Sequence, residues 1–369
     1  MPEKHAILSA SSSSRWIHCP PSVRLSEGYG ETSSEYAAQG TDAHTLSEYK
    51  LKKALGIKVR DPTKKLKYYD GEMERCSTEY AAYVMEELAK IKNPAVFVEQ
   101  HLDFSQFVVD GFGTGDCVIL GENKFVIIDF KYGQGIRVNA KDNSQLRCYA
   151  LGVIQMFDEI FDFSEVRMCI FQPRIDHVDE EEMEKDSLLD WAANVLTPAS
   201  VDAYAGTGEF NCGDWCRWCK AKAICRKRTE YNLELSKYDF KMPDTLTDEE
   251  ISVVLRRAEE LSSWAAEVQG YALQKALAGK KYEGWKIVEG RSVRKFKDPE
   301  QVAKIVESAG FEPFEKKLKG ITALTNLMGR DKFNELLAAS IEKPPGKPTL
   351  VPEDDERLEM KSSAQEDFA

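Results

Sequence analysis

Three cysteines in Cys216-Arg-Trp-Cys219-Lys-Ala-Lys-Ala-Ile-Cys225 are spaced C-x2-C-x5-C, so the fold must deliver three thiols to one place. Two residues compete to be the fourth ligand. Cys212, four residues before Cys216, would complete a local tetrahedral zinc site. Cys19, in Trp-Ile-His-Cys-Pro-Pro, stands almost two hundred residues upstream. If it shared one inorganic cluster with the triplet, the start of a domain would be clasped to its end, closing a loop of roughly 200 residues whose unfolded-state entropy is large. A [4Fe-4S] cluster is also held by four thiolates, and they need not be consecutive. Nine cysteines in a chain without an export signal read as thiolate ligands plus buried thiols rather than as a disulfide framework. Cys76, Cys117, Cys148 and Cys169 lie in apolar or mixed runs and read as small buried hydrophobes.

The chain can bury one large core or two modest ones, since 42% of its 369 residues are hydrophobic. No window approaches the roughly 18 apolar residues of a membrane span, and the start has no apolar signal region, so a cytoplasmic protein with no membrane partner is expected. A net charge of -12 argues against coating nucleic acid by bulk electrostatics. Local patches differ from the total. Acid concentrates in 179–190 and 353–367, whereas 50–67, 220–228 and 280–297 are basic, so a basic groove can coexist with an acidic whole.

Periodicity predicts a short helix around Arg15 to Leu25 with Cys19 near its middle, then helices over Ser34 to about Leu55 and Glu72 to Ile91. Three strands follow, Ala95 to Phe104, Gly113 to Leu120 and Lys124 to Tyr132, the last two joined by a hairpin at Gly121-Glu122-Asn123. A helix over Ser144 to Phe157, a strand over Glu165 to Pro173 and a helix over Leu188 to Ala205 broken at Pro198 lead to the cysteines. That order describes a mixed α/β core. Beyond it come a helix over Leu246 to Leu277, a short strand over Trp285 to Val293, and amphipathic helices over Pro299 to Ala309 and Ile321 to Ile341.

Asp129-Phe130-Lys131 ends the apolar run Phe125-Val-Ile-Ile, where strand alternation points Asp129 and Lys131 to one face. The hairpin brings Asp116, on the preceding strand, towards Asp129. Two hard oxygen ligands with open positions suit Mg2+ or Mn2+, and an adjacent ammonium suits a water or a phosphate beside the ion. Glu99 stands on the first strand, and Gln145 and Tyr149, four apart, project from one face of the next helix.

Together these residues resemble the RecB-like branch of the PD-(D/E)xK nuclease superfamily over about residues 9 to 228. The matching positions are Cys19, His44, Glu99, Gly113 to Asp116, Asp129 to Lys131, Gln145 to Tyr149, and Cys216, Cys219 and Cys225. The resemblance implies a restriction-endonuclease-like core, a central mixed sheet flanked by helices, closed by a four-cysteine cluster and followed by a mainly helical C-terminal region. It implies that Asp116 and Asp129 bind the metal with His44 and the Phe130 carbonyl, and that Glu99 joins them through water. Lys131 would orient or deprotonate the attacking water and stabilise the transition state, with Gln145 and Tyr149 contacting DNA or steadying the lysine. It assigns Cys19, Cys216, Cys219 and Cys225 to an AddB-type [4Fe-4S] staple and leaves Cys212 spare; Zn2+ is the alternative. Trp215 and Trp218 would cover the cluster, and Lys220, Lys222, Arg226, Lys227 and Arg228 would offer positive charge to DNA. The domains expected are 1–232, the nuclease with its cluster; 240–342, mainly helical; and 343–369, a disordered acidic tail. With no G-x4-G-K-[ST] sequence, the chain carries no helicase motor. The expectation is a Mg2+- or Mn2+-dependent exonuclease or end-processing deoxyribonuclease of phage-type recombination or repair, partnered with DNA and with a single-strand annealing protein or a helicase. The alternative is a non-catalytic DNA-binding or scaffolding protein that retains the nuclease fold.

Overall fold

A computed structural model describes residues 6–29, 35–234, 246–288, 298–308, 313–314 and 319–341. The chain divides into two units: Met1–Thr247 with Arg257–Tyr271, and Asp248–Arg256 with Ala272–Ala369.

The first unit opens with α1 (Ser13–His18) and α2 (Ser22–Ser26). The single helix expected across Cys19 is instead two, because Pro20 biases the residue before it away from the helical region. Cys19 adopts φ -139° and ψ 72° and closes α1 with its N–H on the Arg15 carbonyl. Then come α3 (Glu35–Ala54) and α4 (Gly71–Ala89), the latter capped by the Asp70 carboxylate, which accepts the Met73 N–H. The strands β1 (Ala95–Asp103), β2 (Phe112–Leu120) and β3 (Lys124–Phe130) follow as expected from sequence. Next is α5 (Ser144–Phe161), with Asn143 accepting two backbone N–H groups at its start, and then β4 (Glu165–Gln172).

A fifth strand, β5 (His177–Glu184), occupies the stretch read from sequence only as a run of acids. It pairs antiparallel with β4, and its carboxylates meet cations on the neighbouring elements: Glu182 with Lys124, Glu180 with Arg167, and Glu181 with the buried Arg147. The sheet order is β1-β2-β3-β4-β5. Only β3 and β4 run parallel, joined by the α5 crossover.

Each face of this mixed sheet is covered. Phe125, Ile127, Val118, Leu120 and Met168 pack towards α5, whereas Cys117, Ile119, Val126, Ile128 and Phe130 pack under α3 and α4 with Leu46, Met73, Tyr80 and Val84. Burying one such side chain contributes about 1.5–3 kcal/mol, so the two layers fix α3 and α5 on opposite sides of β3. Beyond β5, α6 (Lys185–Trp191) and α7 (Thr197–Ala205) bracket a π-helical turn at Ala192–Leu196. The expected break at Pro198 is therefore absorbed as a widened turn within continuous helix. The unit ends with α8 (Arg226–Leu233) and the middle of α9 (Asp248–Leu277).

The second unit contains α10 (Pro299–Ser308), α11 (Ile321–Met328) and α12 (Arg330–Leu337). The helix expected over Ile321 to Ile341 is interrupted at Gly329, whose φ of 81° is left-handed. Residues 285–288 of the expected strand are irregular; the rest of it and the acidic tail lie outside the described residues.

Candidate functional site

Strand alternation slips once in β1 and once in β2, at paired positions. Val98 and Cys117 lie against the α3/α4 layer, and Leu102 and Val118 against the α5 layer. A Cβ placed on Gly113 or Gly115 would meet Tyr149, Ala10, Leu102 or Val118, all in that second layer. The parity therefore changes between Val98 and Gln100 on β1 and between Gly115 and Cys117 on β2. The residues at the slip are Glu99 and Asp116, which face each other because Val98 pairs with Cys117 and Gln100 with Gly115. Glu99 carries the cost as a left-handed φ of 53° in mid-strand. Its consequence is that both carboxylates turn towards α3.

His44 on α3 meets them. The Nδ1–H of its ring donates to Asp116 Oδ1 at 2.9 Å, and the ring stands edge-on to Phe130. Asp116 Oδ2 accepts the Phe130 N–H at 2.7 Å, so the carboxylate replaces the next ladder bond where β2 and β3 part. His44, Glu99 and Asp116 each offer a ligand atom, all within 4.8 Å of one another.

Asp129 follows ordinary alternation and faces α5. It is only 3% exposed; Oδ1 accepts from Gln145 Nε2 at 3.3 Å, and Oδ2 lies 2.9 Å from Lys131 Nζ without hydrogen-bond alignment. Lys131 Nζ donates to Gln145 Oε1 at 3.0 Å, and Gln145 Nε2 donates to the Tyr149 hydroxyl at 3.0 Å. Gln145 is thus a hub that fixes the lysine, the acid and the tyrosine at once. Gly113 makes room for it, since a Cβ there would stand 2.8 Å from the Tyr149 ring.

Charges in this network strain against one another. Burial raises the Glu99 carboxyl to about 7, with Asp116 adding repulsion. Burial and Asp116 likewise push Asp129 up, opposed by Lys131. For His44, burial disfavours the cation but Asp116 more than offsets it, lifting the imidazole to about 9. Lys131 stays protonated because Asp129 outweighs the cost of burial. Glu99, Asp116 and His44 form a donor set of hard oxygens and one imidazole that fits a divalent cation, and Asp129, which faces α5, stands outside that group but within electrostatic reach of Asp116 and His44.

The cysteines gather beside α1, whose Ser13 hydroxyl is 2.7 Å from that of Ser144 at the start of α5. Cys19, Cys216, Cys219 and Cys225 line one pocket, and Cys212 is not part of its wall. Cys212 stays near Cys216 outside it. Burial raises the thiols of Cys19 and Cys216. Arg15 reaches into the same pocket, donates to Ser22 Oγ at 2.8 Å, and is lowered by burial while Cys219 and Cys19 pull it back. No three of the thiols, among the described residues, approach within 4.8 Å of one another.

Two expectations about the residues around these cysteines need correction. Trp215 does pack inward, stacked on His18 with centroids 4.2 Å apart, but Trp218 is 70% exposed and covers nothing. Arg228 is buried rather than offered to DNA: it donates to Glu260 and pairs with Glu267 on α9, and Lys222 pairs with Glu267 at 2.8 Å. No signal in the local sequence links Arg228 to carboxylates more than thirty residues away.

A family model described as "Protein of unknown function (DUF2800)" matches residues 5–358. The chain belongs to the DUF2800 family. Among solved structures, the one titled "Crystal structure of SSO0001" is 14% identical, with 52% of this chain and 98% of that chain covered and a TM-score of 0.24. No helix among the described residues is long and apolar enough to cross a membrane.

Proposed function

We propose that this DUF2800 chain is a divalent-metal-dependent DNA nuclease of the RecB-like PD-(D/E)xK type, acting in recombination or repair. The observation that carries the reading is the acid row. Glu99 faces Asp116 across β1 and β2, Asp129 follows on β3, and Lys131 and His44 are placed on either side. A buried carboxylate paired with a buried lysine and a strained glutamate aimed at another acid are costly to fold, and a bound cation would account for both.

A Mg2+ or Mn2+ ion held by His44, Asp116, Asp129 and the Phe130 carbonyl, with Glu99 through water, would supply Lewis acidity and an activated water. Lys131 contributes a fixed positive charge beside Asp129, suited to charge that develops on a phosphate. Gln145 and Tyr149 hold that ammonium in place, so the lysine pays little reorganisation cost during reaction. As a ligand His44 would be the neutral ring and would give up its proton to solvent when an ion binds.

The four pocket-lining cysteines support a cluster joining α1 to the segment before α8, with Cys212 left spare. The ligand pattern, one distant cysteine with C-x2-C-x5-C, is the ground on which [4Fe-4S] is proposed over zinc. Degradation of end-labelled single- and double-stranded DNA with Mn2+, compared for wild type and Lys131→Ala, tests the reading. Loss of activity in the variant supports it; equal activity in both sinks it.

A further inference from the structure

The stretch from Leu55 to Asp70 joins α3 to α4 and holds five cations, Lys58, Arg60, Lys64, Lys65 and Lys67, against two acids, Asp61 and Asp70. Neither acid neutralises them: Asp70 accepts the Met73 N–H as the cap of α4. Asp61 Oδ1 accepts the Thr63 N–H at 2.9 Å and the Thr63 hydroxyl at 2.7 Å, closing a turn of its own loop. Lys58, Arg60, Lys64 and Lys65 are exposed and have no ion-pair partner among the described residues. Several long cations elsewhere in the unit are paired: Lys50 with Glu74, Lys52 with Glu48, Arg167 with Glu87, Lys185 with Asp158. Four unpaired cations within eight residues, in a chain of net charge -12, are a local reversal of its electrostatics.

The path of the loop places them usefully. Asp61 lies within electrostatic reach of Lys53 and Lys50, near the C-terminal end of α3, and Lys67 within reach of Glu35 and Asp42, near its start. The Tyr68 N–H donates to Asp42 Oδ2 at 2.8 Å, which pins the end of the loop within the helical turn that carries His44. The loop therefore runs back along α3 towards the acid row. From Lys53 to Asp42 the helix advances about 16 Å, enough to follow about five phosphates of one strand of a duplex.

We propose that this basic strip holds the DNA backbone where it extends away from the acid row, contacting phosphates without reading bases. The inference rests on the nuclease reading for the identity of the ligand. Phosphate contacts of this kind position a strand and give binding a steep salt dependence.

The test is equilibrium binding of fluorescein-labelled DNA of about 30 nucleotides, single-stranded and duplex, in EDTA over a range of salt, a length that exceeds the strip several-fold. Wild type is compared with the Lys58→Gln, Arg60→Gln, Lys64→Gln, Lys65→Gln quadruple variant and with each single substitution. The expected result is a slope of log K against log salt that falls by roughly 3–4 for duplex in the quadruple variant and by about 1 in each single one, with affinity at least about tenfold weaker. Circular dichroism melts should coincide, since all four side chains are exposed. Unchanged slope and affinity overturn the proposal, as does retention of poly-glutamate but not DNA, or no DNA binding by wild type. Cleavage by wild type with binding unaltered in the variant sinks the strip and spares the nuclease reading. Strip-dependent binding without cleavage does the reverse.

Discussion

Replacing Glu99 with Gln should stabilise the metal-free protein, in a manner that depends on pH. The folded chain binds the Glu99 proton with a pKa of about 7, against an ordinary value of 4.5. Between those values the folded state carries a proton that the unfolded state has released, so stability falls as pH rises through that window. Each tenfold change in proton affinity is worth about 1.4 kcal/mol, giving a full cost of about 3 kcal/mol above pH 7. Partial exposure of the side chain reduces this to about 1–2 kcal/mol. Glutamine keeps the shape and removes the charge. Thermal melts in EDTA should therefore show Glu99→Gln about 3–6 °C above wild type at about pH 8 and equal to it at about pH 5. Mn2+ should raise the wild-type midpoint more than the variant's, because the cation relieves the same repulsion. A variant that melts at or below wild type at the higher pH would refute the electrostatic reasoning.

Other outcomes follow from single contacts. Gly113→Ala should push the Tyr149 ring, loosen Gln145 and lower DNA cleavage about tenfold or more while the acids stay intact; kinetics at saturating metal check this. If the proposed [4Fe-4S] cluster is present, anaerobically purified protein should absorb broadly near roughly 400 nm, Cys19→Ser should abolish that band and Cys212→Ser should leave it in place, as spectra of the three proteins will tell. Gly152→Val should destabilise by about 1–3 kcal/mol, measured by denaturant unfolding, because a Cβ there stands 2.9 Å from the Leu102 Cβ and 3.4 Å from the Asp103 carbonyl.

Much of the core is legible in the amino-acid sequence, for a physical reason. The runs Phe125 to Ile128 and Val118 to Leu120 are apolar on both faces, a pattern only a sheet covered on both sides explains. Features set by distant partners are not legible there. β5 is hidden because Glu180, Glu181 and Glu182 look like a solvated acidic run until Arg167, Arg147 and Lys124 are beside them. The turn of Glu99 and Asp116 towards His44 arises from a slip shared by two paired strands, and alternation along either strand alone points them elsewhere. Pro20 does carry a local signal, the break at Cys19, that helical periodicity obscures.

Mn2+-dependent release of a terminal label from DNA, followed for wild type and Asp129→Asn, tests the central claim most directly. Asp129 is buried beside Lys131 and Gln145, so its replacement removes the carboxylate proposed as a metal ligand with little change in shape. The account predicts a rate that rises and saturates with Mn2+ in wild type and falls by about a hundredfold or more in Asp129→Asn. A wild-type rate indifferent to Mn2+, or one that Asp129→Asn leaves unaltered, contradicts it.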